Sequence, residues 1–268
     1  MALRIQNNVE AYNAHRNLTS TEKRLATSME RLSSGYRINR AADDAAGLAI
    51  SERLRGQIAG LEQAQRNVQD AVSLVQTAEG SLTEVHGMLQ RIRELAVQYK
   101  NGSLSTTDRT AIQSEVNQLA SEIERIGSSA EFNGIKLLNT AQTISFQAGP
   151  EDGQAITVST VSLGNAVGTA YFALSTSSTA DISEIDAAID AVSSQRATFG
   201  AVQNRLEYTL ENASIYEENL TASESRIRDV DMAAEMVNFT KLQILQNAGV
   251  SMLAQANQSS QGVLSLLR

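Results

Sequence analysis

One apolar pattern constrains the fold of this chain more than any other feature of the sequence. Across residues 44–99, apolar or small side chains recur in alternating steps of four and three, and no proline interrupts them. Such heptads are typical of a helix that packs against other helices along its length. At about 1.5 Å per residue the helix would be roughly 84 Å long, far beyond the usual helix of a globular protein. The pattern predicts a long helix that needs helical partners.

Three other segments carry the same periodicity and can supply those partners. Residues 3–32 repeat alanine or leucine every seven positions and end at Gly35. A further helix is expected over residues 105–126. Ser105 with Asp108 would cap its start, and it would stop at Gly127. The heptads of residues 182–220 predict a second long helix. The fold class we predict is mainly α, an elongated coiled-coil bundle that pairs the N-terminal and C-terminal halves of the chain.

A change of periodicity marks one exception to the helical pattern. Around Ile144 and Ile156 apolar and polar residues alternate, and the two runs are separated by a turn at Gly149-Pro150. The alternation predicts a β-hairpin at about residues 143–160. The Ser/Thr/Gly-rich stretch that follows, up to Thr179, is compatible with either a third strand or a loop.

The predicted elements divide the chain into two domains. Residues 1–40 and 226–268 form a discontinuous terminal coiled-coil domain, and residues 44–225 form a helical rod domain that carries the hairpin. Residues 232–268 contain only three charged side chains and few large apolar ones. Ordering about 35 residues costs on the order of 50 kcal/mol, more than these apolar residues return. We therefore expect the two ends to fold only against each other and against copies of the chain.

Composition and motifs argue against several classes of protein. A net charge of -8 with only four lysines disfavours a nucleic-acid binder. The chain contains no cysteine, which excludes disulfides and thiolate metal sites. No apolar run is long enough to insert into a membrane, and residues 1–7 do not form a cleavable signal peptide. His15 and His86 lie on different predicted helices, and Asp43-Asp44 suit the start of the long helix. We expect no enzyme activity, cofactor or metal.

Four glycines lie within the long predicted helix: Gly56, Gly60, Gly80 and Gly87. Each costs roughly 1 kcal/mol relative to alanine. We therefore expect other backbones to approach the helix closely at these positions, within the bundle or between subunits.

Several motifs resemble those of bacterial flagellin along nearly the whole chain. They are RLSSG at residues 31–35, AADDAAGLAI at 41–50, QRIRELAVQ at 90–98, EFNG at 131–134, KLL at 136–138, QILQ at 243–246, AQANQ at 254–258 and VLSLLR at 263–268. Only about 50 residues separate Leu138 from Ile189, whereas many flagellins carry large variable domains there. The chain is similar to a short flagellin that keeps only the helical core.

The resemblance implies a subunit that is exported unfolded by the flagellar type III apparatus, without a cleavable signal peptide. Outside the cell it would polymerise with copies of itself into the hollow flagellar filament used for swimming. The implied partners are the hook-associated junction and cap proteins and an export chaperone. The two ends would pair as an inner coiled coil. We assign its assembly contacts to Leu18, Leu25, Leu32, Ile244, Leu245, Leu253, Val263, Leu264, Leu266 and Leu267.

A second site follows from the same resemblance. Gln90, Arg91 and Leu95 lie off the apolar seam of the long helix, and an exposed leucine beside an arginine is a plausible binding hot spot. With Glu115 they match the surface by which the Toll-like innate receptor recognises related flagellins. A subunit contact within the filament is the alternative interpretation of this patch.

Two other functions fit parts of the pattern. A hook-filament junction protein shares the end motifs, but the ending at residues 263–268 favours flagellin proper. A type III secreted coiled-coil translocator would carry a membrane-active apolar stretch, which this sequence lacks.

Overall fold

The fold consists of five helices and two short hairpins within the residues that the structure describes. These are residues 8–160, 162–163, 174 and 181–266 of a computed structural model, with the backbone alone for residues 259–266. The helices are α1 (Val9–Ser34), α2 (Ala45–Tyr99), α3 (Thr106–Ser129), α4 (Asp181–Arg228) and α5 (Met232–Leu266). The strands are β1 (Glu131–Phe132), β2 (Ile135–Lys136), β3 (Thr143–Gln147) and β4 (Ala155–Ser159). The predicted mainly α fold with a small β-hairpin region is confirmed.

The chain forms two compact units. We call Met1–Gly56 with Asn219–Arg268 the terminal unit, and Gln57–Glu218 the rod unit. Both α2 and α4 contribute residues to each unit. How the predicted domains are arranged in an assembled protein stays a prediction.

The rod unit has a continuous apolar core. Buried side chains from α2, α3, α4 and the hairpins form one cluster that includes Val68, Leu82, Ile123, Val158 and Phe199. The heptad stripe of α2 supplies much of this cluster, as its periodicity predicts. Burial of this apolar surface is the main term that stabilises the unit.

Helix α3 begins as predicted but ends later than predicted. Ser105 Oγ accepts a hydrogen bond from the Asp108 backbone N–H at 3.2 Å, and Asp108 Oδ2 accepts one from the Ser105 N–H at 3.1 Å. This capping box satisfies two backbone donors at the helix start. The predicted stop at Gly127 is wrong, because α3 runs on to Ser129. Gly127 is instead a packing residue, since a Cβ there would lie 3.5 Å from Leu163.

One of the two hairpins was predicted from the sequence and the other was not. Strands β3 and β4 pair antiparallel, with Phe146 opposite Ile156, and this confirms the predicted hairpin. Strands β1 and β2 form a second hairpin that was not predicted. Its turn residues Asn133 and Gly134 have φ values of 48° and 77°, which suits the Asn-Gly pair of a tight two-residue turn.

In the terminal unit α1 packs against α5, and the segment that follows α1 pairs with the segment between α4 and α5. Helices α1 and α5 run antiparallel: Asn8 Nδ2 donates to the Ala256 carbonyl at 2.9 Å, and residue 28 of α1 meets residue 235 of α5. Gly35 ends α1 in the left-handed conformation. Beside it, the Arg37 N–H donates to the Arg228 carbonyl at 2.7 Å. The end of α1 is thus joined to the connection between α4 and α5.

The glycines of α2 meet different surroundings. A Cβ on Gly60 would lie 2.9 Å from Pro150 Cβ, so the hairpin turn approaches the helix closely and the expectation is confirmed there. Among the described residues, nothing lies within 4 Å of such an atom at Gly56, Gly80 or Gly87. Close approach of a neighbouring subunit at these three positions stays a prediction.

Candidate assembly surface

The face of α5 that meets α1 is a narrow seam. Glu235, Leu242, Gly249 and Ala256 recur every seven residues, and Leu242 and Ala256 are buried. Leu18 of α1 lies against Gly249, where an added Cβ would come within 3.3 Å of Leu18 Cδ1. Among these four positions, Leu242 is therefore the one large apolar residue. This seam was not predicted from the sequence, although its period of seven could have located it.

A polar cluster occupies one end of the seam. The Glu235 carboxylate accepts hydrogen bonds from the Ser28 hydroxyl and, at 3.1 Å, from Asn238 Nδ2. Arg31 Nη1 lies 3.9 Å from the same carboxylate. Ser28 is 2 % exposed. Because a largely buried carboxylate needs hydrogen-bond partners, this cluster favours one alignment of α1 on α5.

Much of α5 remains apolar and exposed outside the seam. The exposed large residues are Met232, Met236, Val237, Ile244, Leu245, Val250 and Met252. Val237 is 72 % exposed and Ile244 is 63 % exposed. An open groove of about 740 Å³ runs between the two helices beside Leu18 and Leu245. A soluble monomer seldom leaves so many apolar residues uncovered along one helix.

The residues that we assigned to inner-core assembly fall into three groups. Leu18, Leu25, Leu32 and Leu253 are half-buried within the terminal unit. Ile244 and Leu245 are exposed. The side chains of Val263, Leu264 and Leu266 and the whole of Leu267 lie outside the described residues. The assembly role of all ten stays a prediction.

The predicted receptor patch on α2 contains one strong cluster. The Arg91 guanidinium donates to Glu115 Oε1 from Nη2 at 2.9 Å and to Glu94 Oε2 from Nη1 at 3.1 Å. The hydrogen bond to Glu115, followed by that to Glu94, raises the pKa of Arg91. The side chains of Arg91 and Glu115 are about half exposed. Gln90 lies beside them with its amide 3.0 Å from His86 Nε2.

Leu95 does not belong to the exposed part of that patch. It is 2 % exposed and lies in the rod core, so the predicted exposure is wrong. The heptad of α2 describes one seam, but this end of α2 packs in the same core as α3 and α4. A helix with two partners has a wider buried face than a two-helix seam requires.

The described residues contain neither a metal-binding cluster nor a membrane-spanning helix. In that part of the chain, no group of three or more histidine, cysteine, aspartate or glutamate side chains is placed to hold a metal ion. None of the described helices has an apolar stretch of the length that a lipid bilayer requires.

Comparison with known proteins identifies the family. The bacterial flagellin N-terminal helical region matches residues 5–143, and the bacterial flagellin C-terminal helical region matches residues 182–267. The chain belongs to the bacterial flagellin family. The predicted resemblance is therefore confirmed, and as a flagellin the chain is a structural subunit of the flagellar filament.

Relatives that match along nearly their whole length support this assignment. The chain is 51% identical over 270 residues to a flagellin of Halalkalibacterium halodurans, covering 98% of this chain and 99% of the relative. It is 48% identical over 304 residues to a flagellin of Bacillus subtilis, covering 99% and 100%. It is 46% identical to the flagellar filament 33 kDa core protein of Treponema phagedenis, covering 98% and 99%. None of these relatives favours a junction protein or a translocator.

Proposed function

We propose that this flagellin polymerises through the α1–α5 pair of its terminal unit. The observation that carries the proposal is the exposed apolar surface of α5, which extends from Met232 to Met252. Each large apolar side chain contributes about 1.5–3 kcal/mol when it is fully buried. Contacts with neighbouring copies would supply the burial that α1 alone does not provide. Assembly would then stabilise the pair further.

A charge placed in the exposed stripe tests this role. Ile244→Asp would put a carboxylate at a site that the filament buries, and a buried unpaired charge is strongly unfavourable. We expect normal helix content by circular dichroism but at least about tenfold less polymer in a seeded sedimentation assay. Gln76→Asp is the matched control, because Gln76 is exposed on α2 of the rod unit. Unimpaired filaments of Ile244→Asp, seen by electron microscopy, would contradict the proposal.

We further propose that the same stripe meets the other flagellar partners. An export chaperone would cover the apolar residues of α5 before secretion, and the hook-associated junction and cap proteins would contact the terminal unit at the ends of the filament. The absence of cysteine is compatible with export of an unfolded chain, since no disulfide has to be broken. The polymer would lie outside the cell, and export would not use a cleavable signal peptide.

We propose receptor recognition for the part of the rod patch that is exposed, namely Gln90, Arg91 and Glu115. The charged Arg91 and its carboxylate partner form a preorganised polar surface. Leu95 would act indirectly, because it supports this surface from within the core.

Arg91→Ala tests recognition without entering the core. Exposed ion pairs add little to stability, so the subunit should keep its thermal stability while receptor signalling falls. Arg93→Ala is the control, because Arg93 pairs with Asp186 on α4 instead. Unchanged signalling by the Arg91 variant would rule out the assignment. Normal signalling together with weaker polymerisation would favour a filament contact at this patch.

A further inference from the structure

A series of polar pairs connects α2, and the residue that follows it, with α4 in antiparallel order. As the residue number rises along α2, the number of its partner falls along α4. The pairs are Glu52–Arg228 at 2.8 Å, Gln65–Glu217 at 2.6 Å, Glu79–Arg196 at 3.9 Å, Arg93–Asp186 at 2.5 Å and Lys100–Asp181 at 3.8 Å. The first pair lies in the terminal unit and the other four lie in the rod unit.

The Gln65–Glu217 pair differs from most of the others in its position. Gln65 and Glu217 both occupy heptad positions, so a polar residue stands at the seam on each of the two helices, and both are partly buried. In the other four pairs, the residue on the α2 side lies off the heptad, as Arg93 does beside Ile92. A single polar layer within an apolar seam is a known way to specify the register of a coiled coil, at some cost in stability.

The apolar layers of this seam select the register only weakly. One set of layers repeats every seven residues without a polar residue, from Leu61 to Ala96 in α2 and from Ile185 to Leu220 in α4. In that set, a shift of α4 by one heptad again places apolar side chains on apolar side chains. The same shift is unfavourable for Glu217. It would bring the carboxylate opposite Ile58 in one direction or Val72 in the other, where it loses its amide partner.

We propose that the Gln65–Glu217 pair specifies the register of α2 against α4, and so determines which of several similar packings the rod unit adopts. The proposal concerns the fold of the rod unit and does not rest on the assembly role of the terminal unit. It gives a function to two polar residues that face each other at heptad positions of the two helices.

The register can be measured directly because the chain has no cysteine. Thr83→Cys and Ser214→Cys place two spin labels at exposed positions of α2 and α4 that none of the polar pairs uses. A slip of one heptad moves the helices by about 10 Å along their axes. Pulsed EPR on the full-length chain, diluted with unlabelled subunit, should give one narrow distance distribution for the parent.

Three variants then separate register from stability. Gln65→Leu with Glu217→Leu removes the polar layer, and we expect equal or higher thermal stability together with a second distance population. The exchanged pair, Gln65→Glu with Glu217→Gln, restores a hydrogen bond and should restore the single population. Gln203→Leu is the matched control, because Gln203 interrupts the same heptad but its hydrogen bond goes to Glu207 of its own helix. It should keep one population.

Two results would overturn the proposal. One is a single unshifted distance population in the double-leucine variant, which would mean that the apolar layers suffice. The other is failure of the double-leucine variant to fold while the exchanged pair folds normally, which would make the pair a source of stability instead.

Discussion

The terminal unit and the rod unit contain helices of the same kind but bury very different amounts of apolar surface. Among the described residues, the buried apolar side chains of the terminal unit are Ile38, Leu242 and Ala256, and all others lie in the rod unit. The exposed large apolar residues show the reverse distribution, because most of them lie in the terminal unit. A helix pair with one narrow seam leaves most of its surface uncovered. The contrast indicates that the rod unit is stabilised within one chain, whereas the terminal unit has surface left for neighbouring copies.

The largest predicted effect distinguishes the buried leucines of the two units. Leu95→Ala removes a side chain from the rod core, and such changes cost about 2–5 kcal/mol. We expect the thermal unfolding transition of the rod unit to move to markedly lower temperature. Leu242→Ala removes an equally buried side chain from the α1–α5 seam. Hydrogen exchange should then become faster in α1 and α5 alone.

The exposed Leu245→Ala serves as control in the terminal unit and should leave exchange of the monomer unchanged. Faster exchange throughout the rod unit of the Leu242 variant would show that the two units unfold together. It would contradict the inference that the rod unit is stabilised independently of the terminal unit.

The sequence was most informative where one periodicity determined one surface. The heptad of residues 44–99 predicted α2 to within one residue at its start, and alternation around Ile144 and Ile156 predicted β3 and β4. Burial of Leu95 could not be inferred from that heptad, because α2 packs with α3 as well as with α4. Strands β1 and β2 have two residues each, too few for any period to appear, although Asn133-Gly134 is a recognisable turn signal.

The candidate sites were less predictable than the fold for a related reason. The polar seam residue Glu235 has its partner Ser28 on a helix more than 200 positions away in sequence. Pairing of that kind depends on the tertiary register, which a local pattern does not contain. The patch of Gln90, Arg91 and Glu115 came from the resemblance to flagellins, and its recognition role stays a prediction.

An intermediate effect compares two glycines of the same helix. A Cβ on Gly60 would lie 2.9 Å from Pro150 Cβ and 3.3 Å from its Cα, and the turn must move to accept it. We expect Gly60→Ala to destabilise the rod unit by about 1–3 kcal/mol. Gly80 faces open space among the described residues, so Gly80→Ala should stabilise the monomer by up to about 1 kcal/mol. Chemical denaturation of both variants checks the opposite signs.

The Gly80 variant also tests the surface that the rod unit presents to other copies. If a neighbouring subunit approaches α2 closely at this position, Gly80→Ala will polymerise more slowly although its monomer is more stable. Equal polymerisation of the variant and the parent would mean that the glycine serves no contact between subunits.

The smallest predicted effect concerns acid sensitivity. Hydrogen bonds from the backbone N–H groups of Arg40 and Asn39 lower the pKa of Asp43 in the terminal unit, and the Ser105 hydroxyl lowers the pKa of Asp108 in the rod unit. A lowered pKa in the folded state means that the carboxylate stabilises the fold above its unfolded pKa of about 4. That contribution is lost as the pH falls through the folded value.

Acid therefore lowers the folding stability of both units, but only the rod unit has a large apolar core that offsets this loss. Below about pH 4, hydrogen exchange should rise in α1 and α5 before it rises in α2 and α3. Asp43→Asn should loosen the terminal unit at neutral pH and reduce its further change on acidification. Asp70→Asn, which removes an exposed carboxylate of α2, is the control and should leave that pH dependence unchanged. Simultaneous loss of protection in all helices would show that acid acts on the subunit as a whole and not on its weaker unit.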